Sequence, residues 1–496
     1  MTQPIAKVAI VGRDADAWIT ALLLKNVLAN NRSSIEVQLV ELPSGLSEHE
    51  FFSVLPNYKI LHNALGANEN VLMKVARGYF SYGQRFVNWS GASSAYMHAY
   101  DRKGIDFHGI DFFQFWLKAT AQGLQVPLEE FSLGAVAAKQ SRHVIFDEIP
   151  STLSHASYGY NLSGSHYVRT IAKAAIKSGI THAAGTIAEV AVSDGQIESL
   201  VLDNGTRIDA DFFIDASGSD AILMKKVEQD NVESWSKWFM CDRVILASAK
   251  PLQPRPTFNQ VAAFAQGWVG LYPLLDRTAV SISYSSSYAD AHSVLKTVTA
   301  LSGLAIVNPV ETKLDHGCRL RPWVGNCLAV GSTVVNTDCI DATYLHLLHV
   351  GLSMLRNLFP KTTECAAEAS IYNKQMAEFV SGVRDFQLTH FAFNKRVGEP
   401  FWDQQRNVIL PESLVRKVEL FKARGIVGLE ENDSFSSESW TSVLLGHGLM
   451  PTTYNPLVDK MPEEEMKSKF QQLLTHIQKE VSNMPSVESH FEMSVL

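Results

Sequence analysis

The sequence predicts an α/β protein: a parallel sheet of the nucleotide-binding type, a second substrate-side sheet inserted into it, and a helical layer at the C-terminal end. Three observations carry this. The chain starts with a β-α-β pattern, in which a buried run ends at Gly12, a mostly apolar helical run follows, and an alternating run closes on Glu41. Two further buried runs end on glycine turns, at Asp215-Ala-Ser-Gly218 and at Gly331. Ligands of open parallel sheets collect beyond the carboxyl ends of the strands, so Gly12, Gly218 and Gly331 are expected to face one ligand.

The elements follow in order. Residues 5–12 are apolar apart from Lys7, and Ala17 to Leu28 has helical spacing without a breaker. Ile35 to Glu41 alternates, and its terminal acid stands near the place of a ribose ligand. Residues 109–122 and 165–178 read as helices, stopped by Gly123 and Gly179. Asp194-Gly195 and Asn204-Gly205 mark hairpin turns, because both residue types tolerate positive φ. Arg243 to Ala249, Ala279 to Tyr284 and Cys327 to Val330 read as strands, and Thr343 to Leu358 as a helix stopped by Pro360. From residue 364 the period is mainly helical. The expected division is therefore residues 1–360, with substrate-side parts near 75–150 and 235–310, followed by a helical region 361–496.

Bulk properties exclude several classes. The 496 residues are 46% hydrophobic and 19% charged, an ordinary globular balance. A net charge of −8 without a basic tail argues against a nucleic-acid partner. No apolar run reaches the roughly 18 residues that span a bilayer. Five scattered cysteines without a C-x-x-C pair, and no basic leader, fit a cytoplasmic protein without disulfides or a metal site.

A series of segments, in order, resembles the flavin-dependent tryptophan halogenase family. They are Arg85-Phe-Val-Asn-Trp89, Asp211-Phe-Phe-Ile-Asp-Ala-Ser-Gly218, Gly267-Trp-Val-Gly-Leu-Tyr-Pro-Leu274, Arg321 to Gly331, Arg384 to His390, Phe401-Trp402, Phe435 to Trp440 and Leu445 to Pro451. The resemblance implies an FAD-binding nucleotide fold of the flavoprotein monooxygenase type. It also implies flavin reduced by a separate reductase, hypohalous acid formed from halide, and an aromatic substrate held beyond an internal tunnel. A lysine and a glutamate are the family's catalytic residues.

The sequence departs from that pattern at each working position. Gly12-Arg-Asp-Ala-Asp-Ala-Trp18 replaces a glycine-rich dinucleotide turn. Ala17 suits close helix packing, but Asp14 puts a Cβ and a charge where the pyrophosphate must approach the backbone. Asp14 and Asp16 are expected to cap the helix and to compete with a phosphate for its N-terminal field. FAD binding is thus opposed, and opposed again by Phe51 and Phe52 in a loop that resembles a glycine-bearing family loop. Ser81 stands at the lysine position and cannot carry positive charge. Asp341 stands at the glutamate position, shorter by about 1.5 Å of reach. Misplacement by about 1 Å costs about a hundredfold in a preorganised site. Asp338 and Asp341 also read as acids at a helix start.

Thr343 matches a threonine near the halide, and Tyr344 follows where the family has a small residue. Trp268 and Pro273 keep part of a Trp-x-Trp-x-Ile-Pro run whose other positions are opened at Gly270 and changed at Tyr272. His98, Tyr100 and Trp440 are candidates for gripping a small aromatic ligand, or for plain packing. The sequence therefore predicts a member deficient in halogenation. Two other readings stand beside it. One is a working flavin-dependent halogenase or monooxygenase acting on an indole or other aromatic, with a reductase partner. The other is a non-flavin reaction using His98, His108 and Asp341 as acid or base. A homodimer is expected on general grounds.

Overall fold

The computed structural model describes residues 3–30, 35–89, 95–143, 157–229 and 231–489. Strand β1 (Lys7–Gly12) is followed by helix α1 (Asp14–Asn30) and strand β2 (Glu36–Glu41). α1 buries Ala15, Ala17, Trp18, Ile19, Ala21, Leu22, Leu23 and Leu24, so it is apolar almost all round, as a helix covered on several sides must be. It begins three residues earlier than its apolar run, because Asp14 to Asp16 are drawn into the first turn.

The chain divides into two compact units: residues 1–78, 162–237 and 313–381, and residues 79–161, 238–312 and 382–496. This corrects the expected break after residue 360. The C-terminal helices fall in one unit with residues 79–161 and 238–312, and the dividing point falls inside one continuous helix, Ala366–Ala392. An unbroken helical period carries no mark of such a point.

In the first unit, six strands run in the order Trp323–Val324, Cys327–Ala329, Phe212–Ala216, β1, β2, Thr181–Ala184. All pairs are parallel except the short edge strand Trp323–Val324. The register sets Gly12 opposite both Ala216 and Glu41, and Asp215 opposite Ala329. The three strand ends thus converge as the glycine turns predicted. Gly12 is required here, since a Cβ would collide with the carbonyl oxygen of Ala216. A separate antiparallel meander, Ile187–Ser193, Gln196–Leu202 and Arg207–Asp209, turns at Asp194-Gly195 with φ of 49° and 74°.

In the second unit, seven strands run in the order Val307–Lys313, Arg243–Ala249, Thr278–Tyr284, Gly267–Pro273, Asn259–Phe264, Gly83–Val87, Tyr96–Ala99. One face of this sheet packs Ile245, Val269, Leu271, Val280 and Ile282 against Val294 and Val298 of the helix Ala291–Ser302. The helices Pro400–Arg406, Glu412–Arg424, Ser437–Gly446 and Glu463–Asn483 complete the unit. No helix among the described residues is long and apolar enough to cross a membrane. No group of His, Cys, Asp and Glu among them has the arrangement of a metal site.

Candidate functional site

In the first unit the site begins where the strands end. Asp14 opens α1 with φ of 54°, a left-handed conformation that aspartate tolerates better than most residues. Its carboxylate accepts the Gly45 N–H at 2.9 Å and the Ser44 hydroxyl at 2.6 Å. Asp16 is 3% exposed. It accepts the Ser332 N–H at 3.0 Å, the Ser332 hydroxyl at 2.6 Å and the Tyr344 hydroxyl at 2.8 Å. Burial pushes its pKa above the usual carboxylate range, against the pull of the Ser332 and Tyr344 bonds and with a further push from Asp14. The expected capping role is corrected: both carboxylates reach across to neighbouring loops, leaving α1 without a side-chain cap from either.

Gly331, with φ of 59°, is pressed against this carboxylate, and a Cβ there would collide with Asp16 Oδ1. The glycine expected to make room for a ligand makes room for a side chain of the chain itself. Gly218 donates its N–H to Thr333 Oγ1 at 2.9 Å. Asp215 accepts from the N–H groups of Ser217, Leu223 and Met224 and from the Ser217 hydroxyl, so it ties down the turn after its strand. Arg13 pairs with Asp220 at 2.7 Å. Glu41 accepts from the Trp18 indole N–H at 3.2 Å and lies 2.7 Å from His182 Nε2.

The second family-like loop is a strand, β3 (Phe51–Val54). Phe52 is buried and stacks on the Tyr344 ring at 5.6 Å and 14°, with Tyr167 edge-on at 5.7 Å. Tyr344 therefore joins two fillings, its ring on Phe52 and its hydroxyl on Asp16. Asp341 is fully buried, and it precedes a left-handed Ala342 (φ 58°) that leads into the helix Thr343–Asn357. Asp338 accepts the Ile340 N–H at 3.2 Å, and Thr343 pairs with Thr337 at 2.8 Å. The two acids thus sit in the turn before the helix, outside its first turn.

In the second unit, Ser81 ends the strand Tyr79–Ser81, is 1% exposed, and gives its hydroxyl to the Gly83 carbonyl at 3.0 Å. His98 is 1% exposed, and neither ring nitrogen has a hydrogen-bond partner among the described residues. Burial, with the charges of Lys103 and His390, holds its pKa well below the ordinary histidine value. It meets Tyr100 edge-on at 5.9 Å and Phe386 at 5.7 Å. Phe386 stacks on Phe435 at 3.7 Å and stands edge-on to Trp440 at 5.0 Å. The aromatic residues suggested by the sequence are thus brought together, but around Phe386. That filler was missed, because its segment served only as a family marker.

Trp268 is fully buried, and its indole N–H has no acceptor among the described residues. Pro273 gives its carbonyl to the Asn161 amide at 3.1 Å. Gly270 is not an opening: the Tyr272 ring occupies its side-chain space. His108 is exposed, with φ of 54°, unlike the buried His98. Ser332 was also missed. Its only sequence signal is its place directly after Gly331.

The chain matches known proteins over nearly its whole length. The family model for tryptophan halogenase matches residues 7–463. The tryptophan 7-halogenase RebH of Lentzea aerocolonigenes is 23% identical, with 93% of each chain covered. Among solved structures, Xcc4156, a flavin-dependent halogenase from Xanthomonas campestris, is 26% identical with a TM-score of 0.94 over 99% of both chains. BrvH, a flavin-dependent halogenase from Brevundimonas sp. BAL3, is 25% identical with a TM-score of 0.92 over 99% of both chains.

Proposed function

Because the chain belongs to the tryptophan halogenase family, we propose that it keeps that family's FAD-binding fold while having given up flavin-dependent halogenation. One observation carries the reading. The carboxylate of Asp16 lies against Gly331 and holds the Ser332 N–H, Ser332 Oγ and Tyr344 Oη, at the strand ends where a diphosphate would have to settle. The residues present do not fit FAD. The Ser332 N–H, a backbone donor at the strand ends, is answered by a buried side-chain carboxylate, and Asp14 adds a second acid in the same turn. The stacked rings of Phe52 and Tyr344 fill space next to it. Ser81 and Asp341, at the positions of the family lysine and glutamate, add a second line of support. A hydroxyl committed to the Gly83 carbonyl supplies no cation.

The role that remains is a small-aromatic binder or a subunit working beside an active relative. The test is purification in excess FAD, removal of free flavin, and measurement of the flavin absorbance band. A colourless protein is expected, and a yellow complex with one flavin per chain overturns the reading. The similarity to proteins named as flavin-dependent halogenases favours a second reading, an active enzyme on an indole or other aromatic with a reductase partner. That reading requires the yellow complex, and then a halogenated or hydroxylated product once the flavin is reduced.

A further inference from the structure

The second unit carries a feature that the aromatic cluster does not use. An open cavity of about 460 Å³ is lined by Lys395, Arg406, Lys422 and His447, with Phe393 and Leu449 as apolar walls. No acidic residue lines it among the described residues. Arg406 is partly answered by Asp403 and by Asn394 at 2.8 Å. Lys395 and Lys422 have no carboxylate in ion-pairing range among the described residues. Lys422 lies over the Phe393 ring at 5.9 Å. Lys395 lies across Gly448, where φ is 74° and a Cβ would collide with Nζ, so this glycine seats the ammonium.

His447 is fully buried beside them. Its Nε2 is 3.2 Å from His390 Nδ1 and 3.2 Å from Tyr96 Oη. Its other nitrogen, Nδ1, is buried with no hydrogen-bond partner among the described residues. With Nε2 engaged, Nδ1 is an unsatisfied donor in one tautomer and an unsatisfied acceptor in the other, a state that native interiors rarely leave without a role.

We propose that this cavity binds the phosphate group of a small phosphate monoester, with Lys395 and Lys422 pairing its oxygens and Phe393 and Leu449 receiving the esterified group. Two uncompensated ammonium groups answer a dianion, and the cavity is larger than a bare phosphate needs. The groups facing the imidazole are His390, Tyr96 and Lys395. Burial and the charges of His390 and Lys395 hold its pKa well below the ordinary histidine value. The proposal needs no flavin and stands apart from the halogenation reading.

The experiment is calorimetry on the full chain with phenyl phosphate and with inorganic phosphate at low ionic strength. One phenyl phosphate per chain is expected, weakened by salt. The double variant K395M/K422M is expected to bind about a hundredfold more weakly, roughly tenfold for each charge-assisted bond. Tighter phenyl phosphate assigns the source to a monoester, and equal or tighter inorganic phosphate assigns it to the free ion. The proposal is overturned if neither probe binds saturably. It is also overturned if the lysine double variant, with an unchanged melting temperature, binds as tightly as the parent.

Discussion

Replacing Asp16 by asparagine and by alanine separates the shape of this side chain from its charge. Three donors converge on the carboxylate, at 3.0, 2.6 and 2.8 Å. Asp16→Ala removes all three bonds and leaves the half-buried Ser332 N–H and Tyr344 hydroxyl without that acceptor. Each unsatisfied group costs about 1–3 kcal/mol when fully buried, and half-burial discounts the upper end, so the expected loss is about 2–4 kcal/mol of folding stability. Asp16→Asn keeps the shape: its oxygen accepts both Ser332 bonds, and its amide donates to Tyr344 Oη. The charge then decides the sign. Burial raises the Asp16 pKa in the folded state, so this group's contribution is complete below the unfolded value of 3.8 and is lost as pH rises through the folded pKa. Asparagine has no such loss. Asp16→Asn is therefore expected to be at least as stable as the parent at mildly alkaline pH, with a difference that grows from acid toward alkaline. Urea unfolding across pH, with the slope m checked for constancy, reads both variants. An asparagine variant less stable than the parent by more than about 2 kcal/mol at mildly alkaline pH would refute the reasoning, because three charge-assisted bonds would then outweigh burial.

Other outcomes follow from the same geometry. Burial lowers the pKa of His62 to about 3 and of His346 to about 4, with His349 adding to both. Their neutral forms therefore stabilise the fold above the unfolded value of 6.5, and stability falls as pH drops from there toward 4. The loss is about 3 kcal/mol for His346 alone, read by urea unfolding, and His346→Phe should flatten that slope. Gly270→Ala drives a methyl into the Tyr272 ring and is expected to cost about 1–3 kcal/mol in the same assay. A neutral result would mean that the ring moves freely. Ser81→Lys alone is expected to give no halogenated tryptophan with FAD, a reductase and chloride, because the nucleotide turn is unchanged. Product from that one substitution would contradict the part assigned to Asp14 and Asp16.

The sheet was legible because its signals are local. A buried run ending in glycine, or an Asp-Gly between alternating runs, fixes a strand end or a hairpin without reference to the rest of the chain. The charge at Asp14 was legible for the same reason, as was the bulk of Phe52. The destination of Asp16 was not. Its partner Ser332 lies 316 residues away, and a carboxylate near a helix start reads as a cap until the neighbouring strand end is in place. Gly270 read as an opening because sequence spacing does not show where the Tyr272 ring turns. Phe386 stood only as a family marker, and its stack on Phe435 depends on helices brought together by the fold. The division inside Ala366–Ala392 left no trace, since a continuous helix keeps its period through such a point.

The most direct test of the central claim is an electron-density map of the protein crystallised with saturating FAD. The Asp16 carboxylate is predicted to remain on Ser332 and Tyr344, with Phe52 still stacked on Tyr344 and no ordered diphosphate over residues 12–17. A diphosphate hydrogen-bonded along that turn, with Asp16 swung away from Gly331, would contradict it.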